Sequence, residues 1–272
     1  MSPIATEEGG AAMSRPANST PDPLLRAERY RLLAASFAYP DAEELAALLC
    51  EAEQAATAAG QSELASFCTP LLTAVEPGLD GEYNRLFAQS VAVSPYETSY
   101  VAADKGVQLG RLAALMEAFG VRSRGEEHES PDHIGSELEF MAFLCLKEAM
   151  HRDQTSAEGQ DAYAAVRQAQ ALFLQEHMAL WAAVFADRLR RATRLRFYSR
   201  LAELLPAWLA QDLASNGWQC QPVSPRLHLP LVQPDGSLQS TIATGDLEDD
   251  AMICPMADPA PDSTEGEPIH IG

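Results

Sequence analysis

Apolar residues recur along most of the chain at helical spacing, and the strongest run lies near its middle. Ile134, Leu138, Met141 and Cys145 follow one another at intervals of four, three and four, while Phe140, Phe143 and Leu144 widen the stripe. A helix this broadly apolar belongs in a core. Ser130 suits an N-cap, Pro131 suits the first turn because no amide donor is needed there, and Asp132 puts negative charge at the positive end of the helix dipole. The pattern therefore predicts a core helix from about Ser130 to Met150. His133 and Glu137 lie one turn apart at its start, so a titratable corner sits beside an apolar body. That corner is a candidate site.

The remaining periodic segments predict a chain of helices. Asp22-Pro23 opens the first and Tyr39-Pro40 closes it; Asp41 with Glu44 forms a capping box for a second, running to about Ala59 with Gly60 as terminator. A third runs from Ser62 to Val75, interrupted or shifted at Pro70. In Asp80 to Phe87, Tyr83, Leu86 and Phe87 fall at i, i+3 and i+4, which brings two rings and a leucine onto one face. The following A-Q-S-V-A-V-S-P-Y-E-T-S-Y-V is too apolar to lie free in water, so Pro95, Tyr96 and Tyr100 fold back against protein. Further helices are expected over Lys105 to Phe119, over Asp161 to Thr193 with a break near Glu176-His177, and over Arg196 to Ala214 with a kink or displaced start at Pro206. No convincing strand precedes residue 220, and neither repeats nor βαβ alternation occur. The fold class is all-α, a single-domain helical bundle.

Composition sets the limits of that bundle. The chain has 272 residues, 47% of them apolar, which is enough for a proper core without disulfides or metal. Residues 1–21 read as a disordered arm, 22–216 as the helical domain, and 217–272 as an acidic, Pro-rich and largely disordered tail with a short extended piece around Leu227 to Val232. No apolar run approaches a membrane span, and the N-terminus lacks a basic segment followed by an apolar core, so a cytoplasmic protein without stable membrane insertion is expected. Five cysteines, odd in number and widely spaced, fit reduced thiols. A formal net charge of −20 argues against nucleic acid as a partner, whereas a basic partner would be steered in.

Familiar chemical motifs are few. Glu148-Ala-Met-His151 has the Glu-x-x-His spacing of di-iron bundles but no second copy on another helix, and Cys220, His228, Cys254 and His270 are irregularly spaced. No phosphate loop, nucleophile elbow, zinc-protease helix or dinucleotide fingerprint occurs, so no metal, cofactor or catalytic residue is expected. The arginines at 188, 190, 191, 194, 196 and 200 read as a solvated helix face paired with nearby carboxylates, with an anionic partner as the other account. A small helical enzyme or metal-binding bundle using Asp132, His133 and Glu137 is the alternative function from a different class.

Taken together and in order, E-Y-N-R-L-F from Glu82, S-P-Y-E-T-S-Y from Ser94, E-S-P-D-H-I-G-S-E-L-E-F-M from Glu129, F-L-x-x-H-M-x-x-W from Phe173 and R-F-Y-x-x-L-A-x-L-L from Arg196 resemble the TorD/DmsD/NarJ family of molybdoenzyme-maturation chaperones. The likeness spans about Leu24 to Ala214. It implies an all-helical cytoplasmic protein without turnover. Such a protein binds the twin-arginine leader of a molybdopterin-dependent oxidoreductase catalytic subunit, and often the apo body, and holds back export until cofactor insertion is complete. Molybdenum-cofactor biosynthesis proteins are a further implied class of partner, and a monomer or a helix-swapped dimer the implied state. A leader is basic at one end and apolar beyond, so it needs an apolar groove edged with acid. The resemblance implies that Tyr83, Leu86, Phe87, Pro95, Tyr96 and Tyr100 line this groove, with Asp132, His133 and Glu137 as its polar edge. Relatives often carry Trp where this chain has Tyr83 and Tyr96.

Overall fold

Short polar side chains set where the helices begin. In a computed structural model, which describes residues 21–101, 104–122, 129–220, 231–232 and 238–239, Asp22 caps α1 (Pro23–Phe37) by accepting the Leu24 amide at 2.9 Å. Asp41 caps α2 (Ala42–Ala58) by accepting the amides of Glu43 and Glu44, and Asp104 and Ser156 do the same for α5 (Lys105–Ala118) and α7 (Ala157–Phe173). Each cap satisfies amides that a helix start leaves without partners. Gly60, Gly120 and Gly217 end their helices at φ of 71°, 82° and 69°, a region that costs other residues strain.

Both helix-internal prolines are absorbed. In α3 (Ser62–Leu72) Pro70 stands in the last turn and removes the one amide that would reach back to the Ser66 carbonyl, without breaking the helix. Pro206 lies within an unbroken α9 (Arg196–Asn216). Two widened turns occur, where the backbone bonds to the fifth residue on rather than the fourth. One, Asn84–Ala88, continues the short α4 (Leu79–Tyr83). The other, Leu174–Met178, joins α7 to α8 (Ala179–Ala192) and coincides with the expected break at Glu176-His177.

The central helix starts later than its sequence suggests. Ser130 does not cap it: α6 runs Ile134–His151, and His133 is its N-cap, with Nδ1 accepting the Gly135 amide at 3.1 Å. The reason lies 37 residues back. The Glu97 amide donates to the Asp132 carbonyl and the Ile134 amide to the Pro95 carbonyl, each at 2.9 Å, so Tyr96 and His133 form an antiparallel bridge that keeps Pro131 to His133 out of helical conformation.

α1 packs along α6, α2 on α3, α6 on α7 and α8 on α9. Phe37, Phe87, Tyr100, Trp181, Phe185 and Tyr198 make one aromatic cluster at their junction, every ring buried. A charged knot ties the same helices. Arg26, 1% exposed, donates to Asp212 at 2.6 and 2.9 Å, to Glu148 at 2.7 Å and to Gln170 at 2.8 Å, and Tyr30 donates to Asp212 at 2.7 Å. Arg167 adds a second cation on Glu148 at 3.3 Å, so two cations face two carboxylates. Glu148 is thereby spent on structure, which removes it from any Glu-x-x-His metal set.

By contacts along the backbone the chain divides into two units, Met1–Leu229 and Pro230–Gly272. The helices belong to the first. In the second, Leu231–Val232 pairs antiparallel with Leu238–Gln239. The expected arm at 1–21, apart from its last residue, and most of the tail at 217–272 lie outside the described residues, as do His228, Cys254 and His270. No helix among the described residues is long and apolar enough to cross a membrane.

Candidate functional site

The segment Ser94 to Val101 is laid against the start of α6, and this juxtaposition builds the site. Thr98 donates to Asp132 Oδ2 through its hydroxyl at 2.7 Å, Ser130 donates to Asp132 Oδ1, and the Tyr96 ring meets the His133 ring edge-on with centroids 5.4 Å apart. The Tyr96 hydroxyl donates to Glu129 at 3.3 Å. Beside this contact opens a cavity of about 960 Å³, between the end of α1, α4, α5 and the first half of α6. Phe37, Tyr39, Tyr83, Met116, Phe140 and Phe143 supply its apolar wall; among the described residues Glu117, Glu129 and Glu139 stand at it with one cation, Arg122, which Glu117 holds at 2.8 Å.

Of the residues expected at a groove, Tyr83 and His133 line this cavity, and Tyr96 touches it through His133 and Glu129. Leu86, Phe87, Pro95 and Tyr100 are buried behind it. Tyr100 stacks on Trp181 at 5.2 Å and donates to the Ser94 carbonyl at 2.7 Å, so it braces the loop rather than facing the opening. Asp132, 2% exposed, has both oxygens engaged, and Glu137 is fully buried one turn below His133. Tyr39, Phe140, Phe143, Met116, Glu117, Glu129 and Glu139 are cavity residues that sequence reasoning did not single out as a site. Tyr39 had been taken up in a helix stop and the phenylalanines in a core stripe, and periodicity does not separate a wall facing a cavity from one facing a neighbour.

Below the cavity lies a buried polar cluster. Gln108 donates to Glu97 at 2.9 Å, His177 Nδ1 lies 3.1 Å from the other Glu97 oxygen, and Trp181 donates to Glu137 Oε2 at 3.2 Å. Glu137 Oε1 has no partner. Burial first, and then the neighbouring Glu97, push the Glu137 carboxyl well above the usual range, so it is held protonated. Burial also lowers His133, against the opposing pull of Glu129 and Asp132, and so keeps its imidazole neutral and able to accept at the cap. Tyr83 and Tyr96 are raised, chiefly by burial and then by Glu129.

These facts leave the enzyme alternative without a pair of groups to work with: Asp132 is spent on hydroxyls, His133 Nδ1 on the helix cap, and Glu137 faces the core. Among the described residues no cluster of three or more His, Cys, Asp or Glu could hold a metal ion. Half of the arginine run is ion-paired, Arg190 and Arg191 with Asp187 and Arg200 with Glu203, while Arg188 lies over the Tyr100 ring. It is a solvated face.

The family described as nitrate reductase delta subunit matches residues 44–187, from α2 through most of α8, and the chain belongs to it. The TorD/DmsD/NarJ resemblance read from the motifs is thus borne out. Similar curated proteins include a chaperone protein TorD of Photobacterium profundum, 31% identical over 125 residues, which are 44% of this chain and 54% of that one. A chlorate reductase assembly chaperone protein of Ideonella dechloratans is 37% identical over 100 residues, covering 36% of this chain and 49% of its own. A selenate reductase assembly chaperone protein of Thauera selenatis is 39% identical over 82 residues, 30% of this chain and 39% of its own. The chain spans about half the length of the first of these.

Proposed function

We propose that this protein is a cytoplasmic assembly chaperone for the catalytic subunit of a molybdopterin-dependent reductase. It binds the apo subunit and its twin-arginine leader, assists cofactor insertion and delays export until maturation. The observation that carries this reading is the cavity of about 960 Å³, walled by aromatic rings and edged by Glu117, Glu129 and Glu139. Apolar side chains entering it leave water at roughly 25 cal/mol per Å² of area removed, and the carboxylates attract arginines at the ligand's basic end. The family, and the names of relatives that assemble chlorate and selenate reductases, support the client class. No step of turnover is involved; release follows when the client buries or refolds the bound segment.

Calorimetric titration with a synthetic twin-arginine leader tests the proposal. Binding at micromolar Kd, about −8 kcal/mol, is expected, weakened when both arginines of the peptide are replaced and when the protein carries Tyr39→Ala or Glu139→Gln. A folded protein that binds neither leader nor apo subunit would overturn it.

A further inference from the structure

The cavity covers only the first half of α6, and the face that lines it does not stop there. Glu139, Phe143, Leu146 and Met150 succeed one another at spacings of four, three and four, so they stand on one side of the helix. Glu139 and Phe143 line the cavity. Leu146 and Met150 lie beyond it and are 48% and 69% exposed, on a helix whose other faces are packed against α1 and α7. Charge is also uneven along this face. Glu129 and Glu139 stand at the cavity end; Lys147, over the Phe143 ring at 5.1 Å, flanks the stripe towards the other.

We propose that this outer stripe of α6 continues the binding groove, so that a bound segment lies along α6 with its basic end at Glu129 and Glu139 and its apolar body running past Phe143 to Leu146 and Met150. The occupant is a peptide with a cationic start and an apolar continuation of about three helical turns; from Glu139 to Met150 the helix rises roughly 16 Å. Charge complementarity fixes its direction. Reversed, the ligand would set its cations beside Lys147 and leave the carboxylates facing apolar side chains. The inference rests on the peptide-binding reading above, and adds to it a length requirement and a polarity.

The test uses the full chain and two synthetic peptides that begin with the same Arg-Arg pair, one followed by about eleven Leu/Ala residues and one by about four, which reach along and short of the stripe. Titration is repeated with the double variant Leu146→Gln, Met150→Gln, both at exposed positions where the fold is spared, and with Tyr39→Ala at the cavity. The long peptide is expected to bind about tenfold more tightly than the short one, and the double variant to abolish that difference while leaving the short peptide unchanged. A benzophenone at the apolar end of the long peptide is expected to cross-link within the C-terminal half of α6, and one beside the arginines near Glu129 or Glu139. Equal affinities, with Tyr39→Ala weakening both, would overturn the extension and leave the cavity reading standing. Cross-links in the opposite order would overturn the polarity. A double variant that turns a dimer into a monomer in light scattering without changing peptide affinity would assign the stripe to a second copy of the chain instead. Binding of neither peptide would remove the underlying reading and the extension with it.

Discussion

His133 performs two tasks with one ring: Nδ1 caps α6 and the ring edge walls the cavity against Tyr96. Because burial depresses its pKa, the folded state binds fewer protons than the unfolded one. The stability it contributes is therefore present above the ordinary histidine value, about 6.5, and is lost as pH falls through the depressed one. His133→Asn, which keeps a capping acceptor, is expected to flatten the dependence of Tm on pH below about 6.5, whereas His133→Ala loses the cap as well, about 1 kcal/mol where the imidazole is neutral. Glu137 carries the opposite sign. Its raised pKa makes its contribution full below the ordinary carboxylate value and progressively lost as pH rises. Glu137→Gln, an isostere of the protonated acid, is expected to raise Tm at pH 8 relative to the parent and to match it near pH 4.5, as read by thermal denaturation. The thiols of Cys68 and Cys145, pushed by burial to about 11 and about 12, are expected to resist iodoacetamide in native protein at neutral pH and to react once it is unfolded.

Element ends were legible wherever the cause was local. Asp22, Asp41 and Gly60 act within one turn of themselves, and each does in the fold what its neighbours in sequence suggest. The widened turn at Leu174–Met178 was visible as a break, because a histidine and a glutamate interrupt an otherwise apolar stripe; that the break turns His177 inward onto Glu97 was not. Ser130 misled because the residues that displace it, Tyr96 and Glu97, approach from a distant stretch of chain, and nothing within the helix itself reports that pairing. The cavity wall was the least legible part. Tyr83 and His133 were found through a motif, but Phe140 and Phe143 have the same period as their buried neighbours, and only the position of α5 decides which side is left open. Asp132→Ala is expected to cost about 1–3 kcal/mol in chemical denaturation, by leaving the half-buried hydroxyls of Thr98 and Ser130 without their acceptor, and to weaken leader binding by freeing the loop from Ser94 to Val101.

Across the whole molecule, charge and burial divide the work. The chain carries a net charge of −20, while the knot at Arg26 balances two cations against two carboxylates out of water. Arg26→Ala is expected to destabilise by about 3–5 kcal/mol, because it strands Asp212 without a cation and leaves Glu148 with Arg167 alone, whereas exposed Arg200→Ala changes stability by less than about 1 kcal/mol; urea titration separates the two. Leader affinity is expected to fall as ionic strength rises, since the carboxylates at the cavity act in water.

The knot also orders events in time. Arg26 is held by a carboxylate 186 residues further along the chain. While the ribosome is still making α9, the first helix has Glu148 and Gln170 within reach but not the carboxylate that grips Arg26 twice. Synthesis arrested before Asp212 is therefore expected to leave the first helix more open to proteases than it is in the full chain.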